Sequence, residues 1–407
     1  TEKDQALAPL SQLQAKRRFR GASLETIGAV EHGILESMRD KGFWRRVDWV
    51  GRDDSVESFD EIEVGITAAH HPPLYYFVTA PLLWLFPQAE PRFQLLLVRT
   101  FSLFLFVITV LLTFAAARRI FTKGPGALLA ALLVALWPMS ARGAAVVNND
   151  VLTRVWVVLS FYVACYWTTR EEPEGASWRV RLWPPLALLV ISALALFTKT
   201  SGASTVAIVA LATLLHPASL RRMRGTVLTL LGLGAVAAAG AAAWLSTHNP
   251  GVTLSVESNL ERLRTGLSLK SLGALRDTIV GRFNWEGRGL SPDVAPAWGV
   301  FVLVVLALSL IAFVWRRDWL RQRLMWLAWG TALVQILLMA VRGVTKGRYL
   351  MPVAPALAVL VVAGLFVLIP ARWQRSVAVG FVLLLMAFDG FFVWHGLGRA
   401  AWLEWRW

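Results

Sequence analysis

Four short polar segments interrupt an otherwise apolar chain, and they contain the residue types that bind anions, move protons or hold cations. We call them the polar islands: "HHPPLYY" (70–76), "NND" (148–150), "TKTSG" (198–202) and "VTKGRYLMP" (344–352). A charge at the centre of a bilayer costs about 2.5–3.5 kcal/mol on insertion scales, so such residues usually line a cavity or a pathway. The islands therefore predict one polar site at the membrane surface.

The cations of the islands favour binding of an anionic lipid head. Lys199 lies between two apolar runs, where an ammonium group suits a phosphate or pyrophosphate. Lys346 and Arg348 precede a helix whose N-terminus favours anions, and Arg342 lies close by in the sequence. His71 can bind a phosphate or shuttle a proton. The alternative for the arginine and lysine side chains is snorkelling toward lipid headgroups.

The other island residues allow more than one interpretation. Asp150 precedes the apolar run from Val151, so it can cap that helix, hold a divalent metal, or do both. Pro72 and Pro73 would start a helix rigidly, because proline lacks a backbone N–H. We expect Tyr75 and Tyr76 to anchor that helix in the aromatic belt of the membrane.

Arg99, Arg154 and Asp389 are charges inside apolar runs that have no obvious partner in the sequence. Arg154 lies within a predicted span and needs a partner or a wet cavity, but the sequence assigns it no role. Asp389 lies near the end of the last span, and we expect it to form a structural pair.

Composition indicates a membrane protein. Of 407 residues, 56% are hydrophobic and only 16% are charged, which is outside the range of soluble domains. The net charge of +15 is spread among short loops, which argues against nucleic acid as a partner. The single cysteine, Cys165, lies in an apolar run and excludes a disulfide framework.

The apolar runs predict an all-α transmembrane bundle of about 10–11 spans, since ~20 residues cross the hydrocarbon layer. The ten clearest spans are 94–117, 126–145, 151–168, 182–197, 200–216, 226–245, 297–315, 324–342, 349–370 and 376–394. The run 74–86 is short and contains Pro81, which favours a helix in the membrane interface.

Short basic connections predict the orientation. Five of them alternate with the islands along the chain and belong on the cytoplasmic side by the positive-inside rule: 117–123, 170–181, 221–225, 315–323 and 371–375. The islands then face outward. The predicted divisions are a tail (1–21), a first outer loop (22–93), a helical core (94–245), a long outer loop (246–296), C-terminal helices (297–394) and an outer tail (395–407). The basic stretch 14–21 is typical of a cytoplasmic tail, but no span lies between it and the first outer loop. We therefore expect either that a first transmembrane helix is missing from the sequence or that the whole N-terminal part lies outside.

In their order and spacing, the four islands resemble those of the GT-C superfamily of polytopic glycosyltransferases. The most similar branch holds protein mannosyltransferases and aminoarabinose transferases. The resemblance covers roughly 22–370. It implies transfer of a sugar from a polyprenyl-phosphate donor to an acceptor glycan, lipid or protein, at the outer face of a bacterial cytoplasmic membrane.

The resemblance also implies roles for particular residues. Glu25, and after it Glu31, lie where the family places an acidic residue in its first outer loop, although the usual Asp-Glu pair is absent. One of them would be the catalytic base. Lys199, Lys346 and Arg348 would hold the donor phosphate, and Mg²⁺ or Mn²⁺ at Asp150 would bridge carboxylate and phosphate.

Other functions stay open at the level of sequence. The missing acidic pair favours a non-catalytic membrane subunit that binds lipid or protein partners, whereas the four islands together disfavour it. A polyprenyl-linked glycan ligase or polymerase would share the outer basic residues and the long loop. A transporter is disfavoured because no repeated halves are visible. No phosphate loop, zinc-ligand spacing or nucleophile elbow occurs.

Overall fold

The computed structural model describes residues 72–89, 91–170, 177–216, 294–315, 322–341 and 347–392, with Arg264, Ser268, Gly273, Leu275 and Arg276. The continuous segments belong to one compact unit, Pro72–Arg399. They contain helices and no strands. The α-helices are α1 (Leu74–Trp84), α2 (Pro91–Ile120), α3 (Gly126–Ala135), α4 (Pro138–Ala145), α5 (Asn149–Thr169), α6 (Trp178–Thr198), α7 (Ser204–Leu215), α8 (Val294–Trp315), α9 (Arg323–Val341), α10 (Ala354–Leu368) and α11 (Gln374–Phe392). Three 3₁₀ turns cover Thr200–Ala203, Gly347–Val353 and Ala371–Trp373.

The predicted all-α membrane bundle is confirmed. Six helical stretches in the described residues are long and apolar enough to cross a membrane: Phe93–Ile120, Asn149–Thr169, Ala297–Val314, Arg323–Ala340, Gly347–Leu368 and Ala371–Gly390. Shorter apolar helices accompany them, including Leu182–Thr198 and Ser201–Leu215. The predicted span 226–245 lies outside the described residues. The chain is an integral membrane protein.

The predicted helix over 126–145 is divided in two. Trp137 has an extended backbone, with φ −74° and ψ 115°, and Pro138 begins α4. Proline disfavours the helical conformation in the preceding residue and fits the first position of a helix, so the break falls between α3 and α4. The predicted spans 200–216 and 349–370 also differ from single helices, because each begins with a 3₁₀ turn.

α5 and α10 form the centre of the bundle. In their apolar stretches 78% and 83% of residues are buried, against 22% in α2 and 11% in the stretch that contains α11. α5 packs against α2, α6 and α7, and α10 packs against α3 and α8.

Contacts between helix ends show that successive helices alternate in direction. Near the end of α5, Tyr166 lies under Arg119 of α2, and Trp167 stacks on His216 after α7. At the other end of α5, Asp150 meets Lys199 from the end of α6. The bundle thus has a basic end, with Arg118, Arg119, Lys123, Arg170 and Arg375, and an island end, with Tyr75, Asn148, Asp150, Lys199 and Arg348. This separation agrees with the predicted alternation of basic connections and islands.

Candidate functional site

The "NND" and "TKTSG" islands meet in an ion pair. Lys199 Nζ donates to Asp150 Oδ1 at 2.6 Å, and the two side chains are 13% and 15% exposed. Lys199 is the extended residue between α6 and the 3₁₀ turn Thr200–Ala203. An ammonium group has three N–H donors, and this contact uses one of them. Lys199 can therefore accept a second anion without leaving Asp150.

Asn148, not Asp150, caps α5. Asn148 Oδ1 accepts from the Asp150 backbone N–H at 3.0 Å, so the prediction that Asp150 caps this helix is wrong. Asn148 Nδ2 also donates to Asp150 Oδ2 at 3.0 Å. Asp150 lies in the first turn, where the helix dipole favours a carboxylate. Both oxygens of Asp150 are thus held by donors.

Arg154 lies one turn after Asp150 and is only 3% exposed. Its Nη1 donates to the Ser140 carbonyl of α4 at 3.2 Å. Gly143 of α4 makes room for the guanidinium, because a Cβ at that position would lie 2.5 Å from Arg154 Nη2. Ser140 Oγ in turn donates to Met351 Sδ at 3.4 Å, in the Gly347–Val353 turn. Arg154 therefore joins α5 to α4, and Ser140 of α4 in turn contacts the fourth island. No local pattern in the sequence indicates this role.

The first island packs on the beginning of α5. Pro73 precedes α1, as the prediction of a proline-initiated helix expects. Tyr75 is 2% exposed and packs with Leu105 and Val151, so its predicted place in the aromatic belt is wrong; Tyr76, at 39% exposure, fits that prediction. Burial raises the pKa of Tyr75, and the nearby Ser102 side chain and Asn148 backbone partly oppose the rise.

The fourth island presents Arg348 at the surface. Its Nη2 donates to the Tyr349 hydroxyl at 2.9 Å, and its guanidinium lies 4.8 Å from the centre of the same ring. Gln335 of α9 fixes the turn by donating to the Tyr349 carbonyl at 2.6 Å. Gln335 is another residue that the sequence patterns did not single out. Among the described residues, Arg348 forms no hydrogen bond or ion pair with Lys199 or Asp150, although the 3₁₀ turns Thr200–Ala203 and Gly347–Val353 pack together.

Several buried polar atoms near the island end have no hydrogen-bond partner within the described part of the chain. They include Asn149 Nδ2, Arg154 Nε, Ser201 Oγ and Gln335 Oε1. Buried polar atoms are nearly always satisfied by protein, water or ligand. Four such atoms in elements that pack together are the sign of a polar interior that solvent or a ligand completes.

The described residues do not by themselves fit a divalent metal. No group of three His, Cys, Asp or Glu side chains comes together among them, and both oxygens of Asp150 already accept hydrogen bonds. A hard cation needs several oxygen ligands. The metal at Asp150 stays a prediction.

Five of the predicted site residues lie outside the described residues: Glu25, Glu31, His71, Arg342 and Lys346. Their roles stay predictions. Asp389 is described, and it forms no ion pair with another described residue, contrary to the pair expected for it.

Residues 69–237 match the family model described as dolichyl-phosphate-mannose-protein mannosyltransferase. This confirms the resemblance to GT-C membrane glycosyltransferases that the islands predict. The matched range contains three islands, with Asp150 and Lys199, whereas the fourth island and Glu25 lie outside it. No curated protein sequence matches the chain.

Solved structures with a similar fold include an ArnT and an oligosaccharyltransferase. ArnT from Cupriavidus metallidurans bound to undecaprenyl phosphate has 18% identity and a TM-score of 0.47, covering 78% of this chain and 53% of that one. The oligosaccharyltransferase of Archaeoglobus fulgidus in complex with Zn and sulfate has 14% identity and a TM-score of 0.47, covering 79% and 44%. The chain spans about half the length of these proteins.

Proposed function

We propose, from the match of residues 69–237 to protein mannosyltransferases and the geometry of the island end, that this chain is a membrane glycosyltransferase. It would transfer a sugar from a polyprenyl-phosphate donor to an acceptor glycan, lipid or protein. The reaction would take place on the extracytoplasmic face of a bacterial cytoplasmic membrane, because the basic end belongs inside by the positive-inside rule.

The ion pair of Lys199 and Asp150 is the observation that carries the proposal. It lies where α5 and α6 meet at the island end, with Tyr75 and the Gly347–Val353 turn packed around the start of α5. Asp150 holds the ammonium in place, while two N–H donors of Lys199 stay available for phosphate oxygens. A fixed cation of this kind suits the phosphate of a lipid-linked sugar.

Sugar transfer requires the chain to supply a base for the acceptor hydroxyl and cations that stabilise the departing phosphate. The acceptor hydroxyl oxygen forms a bond to the anomeric carbon while the bond from that carbon to the donor phosphate breaks. The proton of the hydroxyl passes to a base, and the electron pair of the broken bond stays on the phosphate. Direct displacement of this kind inverts the anomeric carbon, as the family resemblance implies.

Lys199 and Arg348 would stabilise the departing phosphate, since preorganised cations act where charge develops. Lys346, Arg342 and His71 would add to this phosphate site. Glu25, or after it Glu31, would be the base, which needs to lie within hydrogen-bond reach of the acceptor hydroxyl. Mg²⁺ or Mn²⁺ would act as a charge-neutralising partner of the phosphate if the site binds a metal, and transfer with and without chelator measures that requirement.

A transfer assay with a radiolabelled polyprenyl-phosphate sugar tests the assignment of Lys199. We expect Lys199→Met to lower the rate about 100-fold, the loss typical of removing one group that stabilises transition-state charge. Lys123→Met is the matched control, because Lys123 is exposed at the basic end and should leave the rate unchanged. A wild-type rate in Lys199→Met would exclude this phosphate site.

The alternative is a non-catalytic subunit in which the pair only joins α5 to α6. The fact that the two charges neutralise each other favours this alternative. Binding of polyprenyl phosphate separates the two. A structural pair predicts that Lys199→Met and Asp150→Asn lower the melting temperature alike and leave lipid affinity intact. The transferase proposal predicts that Lys199→Met weakens lipid binding beyond any effect on stability.

A further inference from the structure

A groove opens between α3 and α11, at the basic end of the bundle and away from the candidate site. Its volume is about 460 Å³, within the range of roughly 300–1,000 Å³ that small-molecule pockets occupy. Leu129 and Ala378 lie buried at its base, while Leu128, Val379 and Leu383 are 55–60% exposed along its walls. Among the described residues, Arg375 at the start of α11 is the one charged residue that lines it.

The groove runs along α3 and α11, and its length suits part of a lipid acyl chain. Its lining runs from Pro125, directly before α3, to Leu132 on α3, and from Arg375 to Leu383 on α11. At a rise of 1.5 Å per residue these stretches extend about 10–12 Å from the basic end. One leaflet of a bilayer contributes about 15 Å, half of the ~30 Å hydrocarbon core. The groove therefore lies in the part of one leaflet that is nearest its headgroups. Its charged mouth is at the headgroup level.

The charge around the mouth selects an anion. Lys123 and Arg375 are exposed there, and segments 117–130 and 370–388 contain no Asp or Glu. Arg375 forms no hydrogen bond or ion pair with another described residue. Basic pockets between transmembrane helices on the cytoplasmic side are typical sites for anionic headgroups.

We propose that this groove binds one anionic phospholipid, with an acyl chain between α3 and α11 and its phosphate on Arg375. A second copy of the chain fits the groove less well. Two copies in the same membrane orientation would bring their basic mouths together, and like charges at that distance repel. The lipid would also fill the side of α11 that the described helices leave open, since only 11% of the stretch Ala371–Gly390 is buried.

Native mass spectrometry of the purified protein tests the proposal, with dioleoyl phosphatidylglycerol and dioleoyl phosphatidylcholine as probes. The wild type should retain one phosphatidylglycerol in preference to phosphatidylcholine. Arg375→Gln should lower that preference about fivefold, which corresponds to ~1 kcal/mol for one basic residue near an anionic surface. Arg372→Gln is the matched control, because Arg372 is exposed at the same end but does not line the groove.

A second pair of variants tests the groove itself. Ala378→Phe fills its base and should remove the retained lipid, whereas Val377→Phe adds the same ring beside the groove and should not. Equal losses in Arg375→Gln and Arg372→Gln would overturn the proposal in favour of diffuse attraction. Equal retention of both lipids, or a dimer that Ala378→Phe dissociates, would overturn it as well. Arg375 is exposed, so its substitution tests the proposal even if Ala378→Phe does not fold.

Discussion

Arg154 is the residue whose importance the structure reveals most clearly. It is buried in α5, and its contacts with the Ser140 carbonyl and Gly143 fix α4 against the helix that carries Asp150. A buried arginine is costly unless it is hydrogen-bonded. We infer that Arg154 is a positioning residue, which holds the start of α5.

The fit between Gly143 and Arg154 gives a stability prediction. Gly143→Ala would place a Cβ 2.5 Å from Arg154 Nη2, so the guanidinium has to move and lose its hydrogen bond. We expect a loss of about 1–3 kcal/mol, the usual result of overpacking. Thermal unfolding in detergent measures it. Adding Arg154→Met should remove most of the extra cost of Gly143→Ala; strictly additive losses would show that the two residues are not coupled.

Asn148 gives a second prediction at the scale of a residue. Asn148→Ala removes the cap of α5 and should cost about 1 kcal/mol, whereas Asn148→Ser keeps an oxygen for the Asp150 N–H and should cost less. Both variants lose the hydrogen bond from Asn148 Nδ2 to Asp150 Oδ2, and only Asn148→Ala also loses the cap. Melting temperatures separate these contributions, and equal melting temperatures for the two variants would exclude the cap.

Among the elements, the turn between α6 and α7 determines where Lys199 lies. Gly202 follows three residues later, and a Cβ there would lie 2.5 Å from the Ala195 carbonyl oxygen. The backbone of the turn therefore packs directly on the last turn of α6. The Lys199 carbonyl accepts from the Gly202 N–H at 2.8 Å and closes the same turn.

This packing predicts that Gly202→Ala shifts Lys199. Because the clash is with backbone, it cannot be relieved by a side-chain rotation, and the turn has to open. We expect transfer or polyprenyl-phosphate binding to fall severalfold, with helix content by circular dichroism unchanged. Gly380→Ala on α11 is a matched control, since its Cβ would meet no atom within 4 Å. If Gly202→Ala behaves like Gly380→Ala, the turn does not position Lys199.

Sequence patterns predicted the elements well where a single physical rule decides them. Length and apolar composition located α2, α5, α6, α8, α9 and α11, and the prolines placed the start of α1. The break at Trp137 was missed because the apolar run continues across it. Tyr75 was placed in the membrane interface because neither its spacing nor its type indicates contact with α5, which lies about 75 residues away along the chain.

The residues of the candidate site likewise include some that the sequence predicts and others that it does not. Asp150 and Lys199 could be chosen from the sequence because a charge in apolar surroundings stands out. Their direct contact could not, since it depends on how α5 and α6 pack. Arg154 and Gln335 were not assigned because each acts through a backbone carbonyl on another element, Ser140 and Tyr349. Such contacts leave no local pattern.

At the scale of the whole molecule, the separation of basic end and island end predicts opposite exposure across the membrane. In a Cys165→Ser background, Lys123→Cys should react with a membrane-impermeant maleimide only from the cytoplasmic side. Val147→Cys, at an exposed position beside Asn148, should react only from outside. Both should react after permeabilisation. Labelling of the two positions from the same side of intact cells would contradict the arrangement and, with it, the extracytoplasmic site.

The close fit of Gly143 against the Arg154 guanidinium also restricts how this chain can diverge. A side chain at position 143 costs least once the arginine has been replaced by something shorter. Among relatives, the two positions should therefore covary, with residues larger than glycine at the first occurring together with small or apolar residues at the second. Lineages that keep the arginine should keep the glycine.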